Sequence, residues 1–318
     1  VFPSCGRITA LKLLHGAQKQ LKRLYDALGE KAKEFDHVIK MGRTQLQDAV
    51  PIRLGQEFKA YSAAIRRDIN RFENAKEEMS RLNLGGTAIG TGLNADVHYL
   101  QRVVRTIAEI SGLDLIQSYD LIVAVSGMVK TCAVNLSKMS NDLRLMSSGP
   151  RTGFGEINLP AKQNGSSIMP GKVNPVIPEV VNQVAFNIIG NDMTIAMAAE
   201  AGQLELNAFE PIIFYNMFQS IETLTFAVRT LVDNCIKGIT ANEERCRQLV
   251  DRSVGIITAI CPYVGYERAA EVAKEAIRTG ANIRDLILRD KLLSEEELDQ
   301  ILNPYAMTEP GISGKESL

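Results

Sequence analysis

The most constraining feature of this chain is the stretch from Pro178 to Phe209. Val180, Val181, Val184, Ala185, Ile188, Ile189 and then Ile195 to Ala199 leave it almost no polar face. A helix of that kind is stable only when covered on most sides, inside a bundle and at a subunit interface. With Pro178 in its first turn and Pro211 just past its end, the pattern predicts one helix of some 32 residues, about 48 Å long.

Four further segments repeat the helical period. From Ile8 to Phe35, leucines at 11, 14, 21, 24 and 28 make one apolar stripe. Leu54–Leu82 and Val123–Met146 behave alike, and Ile212–Ile236 follows the long apolar stretch. Strand signals are weak throughout, so the expected class is all-α. After residue 238 the texture changes. Thr240–Glu243 and Ser294–Glu297 read as capping boxes, and shorter helices are expected over Glu243–Leu249, Tyr266–Thr279 and Ile283–Arg289. The expected organisation is a long central helical bundle over 1–238, carrying the functional loops, and a small helical C-terminal domain over 239–318.

Composition excludes several function classes. Lysine and arginine total 36 against 37 acidic residues, so neither a nucleic-acid groove nor an anionic membrane surface is the main partner. No apolar run approaches the eighteen residues of a membrane span. Five cysteines (Cys5, Cys132, Cys235, Cys246 and Cys261) contain no CxxC pair, which argues for reduced thiols in the cytoplasm and against a zinc ribbon or redox dithiol. No carboxylate cluster has metal-ligand spacing, so neither a metal nor another cofactor is expected. The chain opens Val1-Phe2-Pro3 without an initiator methionine and reads as a piece of a longer protein.

Three glycine- and proline-punctuated loops interrupt the helices: Lys40–Pro51, Gly85–Asn94 and Gly165–Pro175. The second has the glycines of a phosphate cradle but neither a preceding strand nor a following lysine, so a tight reversal between helices fits it better. In the third, Gly165 and Gly171 permit close backbone approach, and Ser166, Ser167, Lys172 and Asn174 offer donors of graded reach. That set suits a carboxylate, and equally suits a linker rich in turn residues. In the first, Thr44 and Gln45 are neutral donors with reach for a carboxylate, or members of a capped loop before the Leu54 helix.

Read together, these loops resemble the conserved blocks of the aspartase/fumarase superfamily. The superfamily signature Gly-Ser-Ser-x-Met-Pro-x-Lys-x-Asn is matched at every fixed position by residues 165–174. Gln45 in the first block, and Val176–Gln183 after the signature, resemble the branch that deaminates L-aspartate reversibly to fumarate and ammonia. The resemblance implies Ser166 as the proton-abstracting base, with Lys172 as the cation that meets charge developing on the substrate. It implies Thr44, Gln45, Ser167 and Asn174 as substrate-binding donors, and Glu179 as the residue that orients position 45. A small dicarboxylate is then the partner, in a homotetramer whose active sites combine loops from several subunits.

Two departures from the family pattern give a second reading weight. The N-terminal family domain, which supplies further substrate ligands, is not expected within this sequence, and at Ile122–Val123 the chain reads as shorter than its relatives by roughly two or three helical turns, through either a true deletion or a stretch missing from the sequence. The alternatives are a class II fumarase acting on L-malate and a non-catalytic helical assembly core. His15, His37 and His98 match no active-site position.

Overall fold

The computed structural model describes residues 1–118, 123–163 and 168–315. The fold is helical, with eleven α-helices among the described residues. The chain divides into two compact units: Val1–Leu28, Tyr61–Leu145 and Leu159–Gly238 form the first, and Gly29–Ala60, Met146–Asn158 and Ile239–Leu318 the second.

The first unit is built from α1 (Phe2–Glu34) and α2 (Leu54–Met79), which both continue into the second, together with α3 (Val97–Ser111), α4 (Val123–Met146), α5 (Val176–Glu200) and α6 (Glu210–Asn234). The α1 leucine stripe is its core: Leu11, Leu14, Leu21, Leu24 and Leu28 are all buried. Phe72 of α2, Leu136 and Leu143 of α4, and Ile221, Leu224 and Leu231 of α6 are buried likewise. Burying each such side chain contributes about 1.5–3 kcal/mol relative to leaving it in water. Two-residue strands β3 (Arg81–Leu82) and β4 (Ile116–Gln117) pair in parallel.

The long apolar helix is shorter than its composition predicts. α5 ends at Glu200 after 25 residues. The Asn207 side chain donates to the Ala198 carbonyl (3.0 Å) and accepts from the Phe209 amide (2.8 Å), and Leu204 takes φ 50°. These bonds close a reversal over 201–209 that hydropathy alone cannot distinguish from helix. Helix α3 is an addition. Asp96 accepts from the amides of His98 and Tyr99, and Gly112 ends the helix in the left-handed region. The Gly85–Asn94 loop is a reversal, as its glycines predict, and backbone bonds close it: the Gly86 carbonyl accepts from Gly90 and Gly92.

The second unit carries a strand pair that the all-α expectation leaves out. β1 (Ile39–Thr44) and β2 (Gln47–Arg53) form an antiparallel hairpin. Strands β5 (Ile157–Asn158) and β6 (Thr240–Ala241) pair briefly, which takes Thr240 out of the expected capping box, and α7 (Glu243–Arg252) starts after Asn242 instead. Then come α8 (Ile257–Val264), α9 (Tyr266–Thr279), α10 (Ile283–Arg289) and α11 (Glu295–Ile301). α11 opens with the predicted Ser294–Glu297 capping box. Met41 of β1 is buried in the same apolar cluster as Ile260, Ile287 and Leu298. No helix among the described residues is long and apolar enough to cross a membrane.

Candidate active site

Thr44 and Gln45 stand at the tip of the β1–β2 hairpin. Thr44 pairs with Gln47, leaving Gln45 and Leu46 as a two-residue loop with φ 53° and 62°. Positive φ at both central positions is the pattern of a tight I′ hairpin, which usually takes Asn-Gly. Left-handed backbone at residues carrying a Cβ costs about 1–3 kcal/mol each and persists only where the surroundings over-determine it. Thr44, Gln45 and Leu46 are all exposed, so the tip presents its side chains outward.

Next to the tip the first strand carries buried charges. Arg43 Nη1 donates to Glu156 Oε1 at 2.7 Å, and its guanidinium lies 4.0 Å from the centroid of the Phe154 ring. Lys40 pairs with Glu57 (2.9 Å) and with the second oxygen of Glu156 (3.2 Å). Glu156 is fully buried and Lys40 nearly so. Paired charges of both signs are what makes such burial affordable. The segment carrying Glu156 is itself fixed: Arg245 donates to the carbonyls of Gly153 and Phe154, and Asn242 donates from its side chain to Gly155 O and from its amide to Glu156 O.

On the other strand, Ser253 Oγ donates to Asp48 Oδ2 at 2.8 Å. Gly255 lies so close to β2 that a Cβ there would stand 2.1 Å from the Ala49 carbonyl oxygen. Only glycine fits that approach. Lys40, Glu57 and Glu156 escape a motif-based reading because Arg43 and Glu156 are 113 positions apart. The one local signal is a glutamate between Gly155 and Ile157, where an acidic residue has no helical face to occupy.

Lys172, Asn174 and Glu179 lie in the first unit, on the segment that leads into α5. The Lys172 amide donates to Met169 O, and Gly171 takes φ 82°, so a turn precedes the exposed lysine. Asn174 is half-buried and its carbonyl accepts from the Val176 amide. Glu179 sits in the first turn of α5, where a carboxylate favours the helix dipole, and it meets Arg144 at 3.7 Å. Ser166 and Ser167 lie outside the described residues. Thr44 and Gln45 thus stand on the hairpin of the second unit, and Lys172, Asn174 and Glu179 follow one another along one segment of the first.

Other candidate groups are quiet. Burial, reinforced by the Glu156 and Glu57 carboxylates, pushes the Cys246 thiol up to about 12. Burial alone pushes Cys235 up to about 12, and it raises Cys132 well above the usual thiol range. None of these three is a ready thiolate. His37 faces Glu243 on the surface at 3.2 Å. Among the described residues no group of three or more His, Cys, Asp or Glu could hold a metal ion.

Comparison with known proteins decides the family. A family model described as Lyase matches residues 1–190, and one described as Fumarase C C-terminus matches residues 256–309. The chain is 55% identical to an aspartate ammonia-lyase of Bacillus subtilis (strain 168), over 100% of this chain and 69% of that protein. The chain belongs to the aspartase/fumarase superfamily. Among solved structures, a fumarate lyase:delta crystallin from Brucella melitensis bound to cobalt superposes with TM-score 0.92 at 48% identity, covering 97% of this chain and 69% of that one. A class II fumarase from Schistosoma mansoni superposes with TM-score 0.87 at 34% identity, covering 97% of this chain and 70% of that one.

Proposed function

We propose that this superfamily member catalyses the reversible deamination of L-aspartate to fumarate and ammonia. The observation that carries the reading is the 55% identity to a curated aspartate ammonia-lyase over the whole chain, against 34% to the fumarase. Gln45 in the first loop supports the same choice.

The C3 proton of aspartate becomes removable when the electrons it leaves are taken up by the neighbouring carboxylate as a doubly charged aci-carboxylate. Ser166 takes that proton. Lys172 meets the second negative charge, and Ser167 and Asn174 donate hydrogen bonds to carboxylate oxygens. The C2–N bond then breaks, its electron pair leaves on nitrogen, and the double bond of fumarate forms. A serine base needs its pKa lowered by nearby amides and cationic charge, which a Gly-Ser-Ser segment followed by Lys172 is composed to supply. Thr44 and Gln45 hold the substrate from the hairpin tip, and Glu179 orients the residue at position 45.

The protein assembles as a homotetramer with active sites shared between subunits, in the cytoplasm. The outward face of α5 supports the assembly: Phe186, Met193 and Met197 are each more than 60% exposed in the single chain, along one helical stripe. The test is ultraviolet detection of fumarate on adding L-aspartate, with L-malate as a parallel substrate. Fumarate from aspartate alone is expected. Preferential turnover of L-malate would make the chain a fumarase, and no turnover of either by a folded tetramer would favour the non-catalytic assembly core.

A further inference from the structure

The fully buried Glu156 carboxylate plays no part in the chemistry above, yet it bridges two cations that both belong to the strand ending at Thr44, next to Gln45. Arg43 and Asp48 form the last cross-strand pair before Thr44 and Gln47. Each member of that pair is tied to a different part of the second unit: Arg43 to Glu156 and the Phe154 ring, and Asp48 to Ser253. The ladder shifts register between Met41 and Arg43, so the plain strand pairing below does not by itself fix where Arg43 falls. Two residues beyond this clamp, the backbone enters the strained Gln45–Leu46 loop.

We propose that Glu156 and Arg43 are positioning residues for the reaction: Glu156 fixes the guanidinium of Arg43, and Arg43 sets the register and direction of the tip that presents Thr44 and Gln45 to the substrate carboxylate. The proposal rests on the reading of Thr44 and Gln45 as substrate ligands. A buried ion pair whose only task is stability would sit as well beneath any surface of the unit. This one lies one residue from the candidate ligands, and its guanidinium is held by a charge-assisted hydrogen bond and by ring stacking, which fix direction as well as distance. Misplacing a binding group by about 1 Å can cost up to about a hundredfold in activity.

The experiment is steady-state fumarate formation from L-aspartate by Gln45→Ala, Glu156→Gln and the double variant. The expected result is a KM raised by about tenfold or more in each single variant, larger than any fall in kcat, with the double variant no worse than the poorer single one. If Gln45→Ala leaves KM at the wild-type value, the hairpin is not the substrate ligand and the underlying reading falls. If Gln45→Ala raises KM but Glu156→Gln does not, or if the two effects multiply, Glu156 does not act through the tip and the positioning role is overturned. Should Glu156→Gln fail to fold, Arg43→Lys takes its place in the same cycle, because it keeps the charge but loses the planar contact with Phe154.

Discussion

Two of the polar loops that interrupt this helical chain meet opposite physical fates. Ile39–Arg53 becomes a hairpin whose strands are paired, whose first strand carries the buried Lys40–Glu156–Arg43 bridge, and whose second strand admits no side chain at the facing Gly255. The segment 168–175 is turn backbone, with Ile168, Met169 and Val173 exposed beside the exposed Lys172. The difference teaches where pre-organisation resides. The candidate donors on the hairpin stand on paired strands beside a buried ion bridge, whereas the described part of the signature segment, 168–174, stands on exposed turn backbone.

The contrast is broken or sharpened most strongly by exchanging the two kinds of charge. Glu156→Ala strands Lys40 and Arg43 without their shared counter-ion and should cost about 3–5 kcal/mol in urea unfolding. Lys172→Ala should leave unfolding within about 0.5 kcal/mol of wild type and lower kcat/KM by roughly a hundredfold to a thousandfold. Equal loss of stability in the two variants would erase the distinction. Gly255→Ala comes next: its methyl must displace the β2 backbone, which should lower stability by about 1–3 kcal/mol. A smaller effect of opposite sign is expected from Gln45→Gly. Glycine relieves the left-handed backbone at the tip but loses more chain entropy on folding, so the net gain is about 0.5 kcal/mol. A loss of stability there would mean that the tip is not strained.

The smallest effect comes from a second buried carboxylate. Asp68, on α2 in the first unit, accepts twice from Asn135 at 3.0 Å and once from Arg71 at 2.6 Å. Burial outweighs those partners and raises its pKa above 3.8. The folded state therefore holds the Asp68 proton more tightly than the unfolded chain. Its contribution is full below 3.8 and is lost as pH rises through the raised value. Asp68→Asn should flatten that acid-side slope in thermal unfolding followed against pH, and an unchanged slope would remove Asp68 as its source.

The parts of the molecule legible in the sequence are those where period and burial agree. The α1 leucines are buried at every predicted position, α9 and α10 have the predicted bounds, and the Ser294 capping box is present. The hairpin was not legible because its turn is Gln45-Leu46 instead of Asn-Gly, and because Pro51 stands inside the second strand. The end of α5 was not legible because Asn207, nine residues on from the Ala198 carbonyl it bonds, stops a helix that hydropathy would continue. In the candidate site, the donors on the two loops could be named from motif and resemblance. The buried Glu156 could not, because its partner Arg43 is 113 positions away and its one local signal, an acidic residue between Gly155 and Ile157, matches no motif.

The proposed mechanism divides the work between a hairpin that binds the substrate and a signature segment whose Ser166 takes the proton. Comparing Ser166→Ala with the wild type in fumarate formation from L-aspartate tests it most directly. Turnover by the wild type, a kcat lowered by about 10²–10⁴-fold in the variant, and L-aspartate still bound are expected. A variant that turns over at the wild-type rate would contradict it.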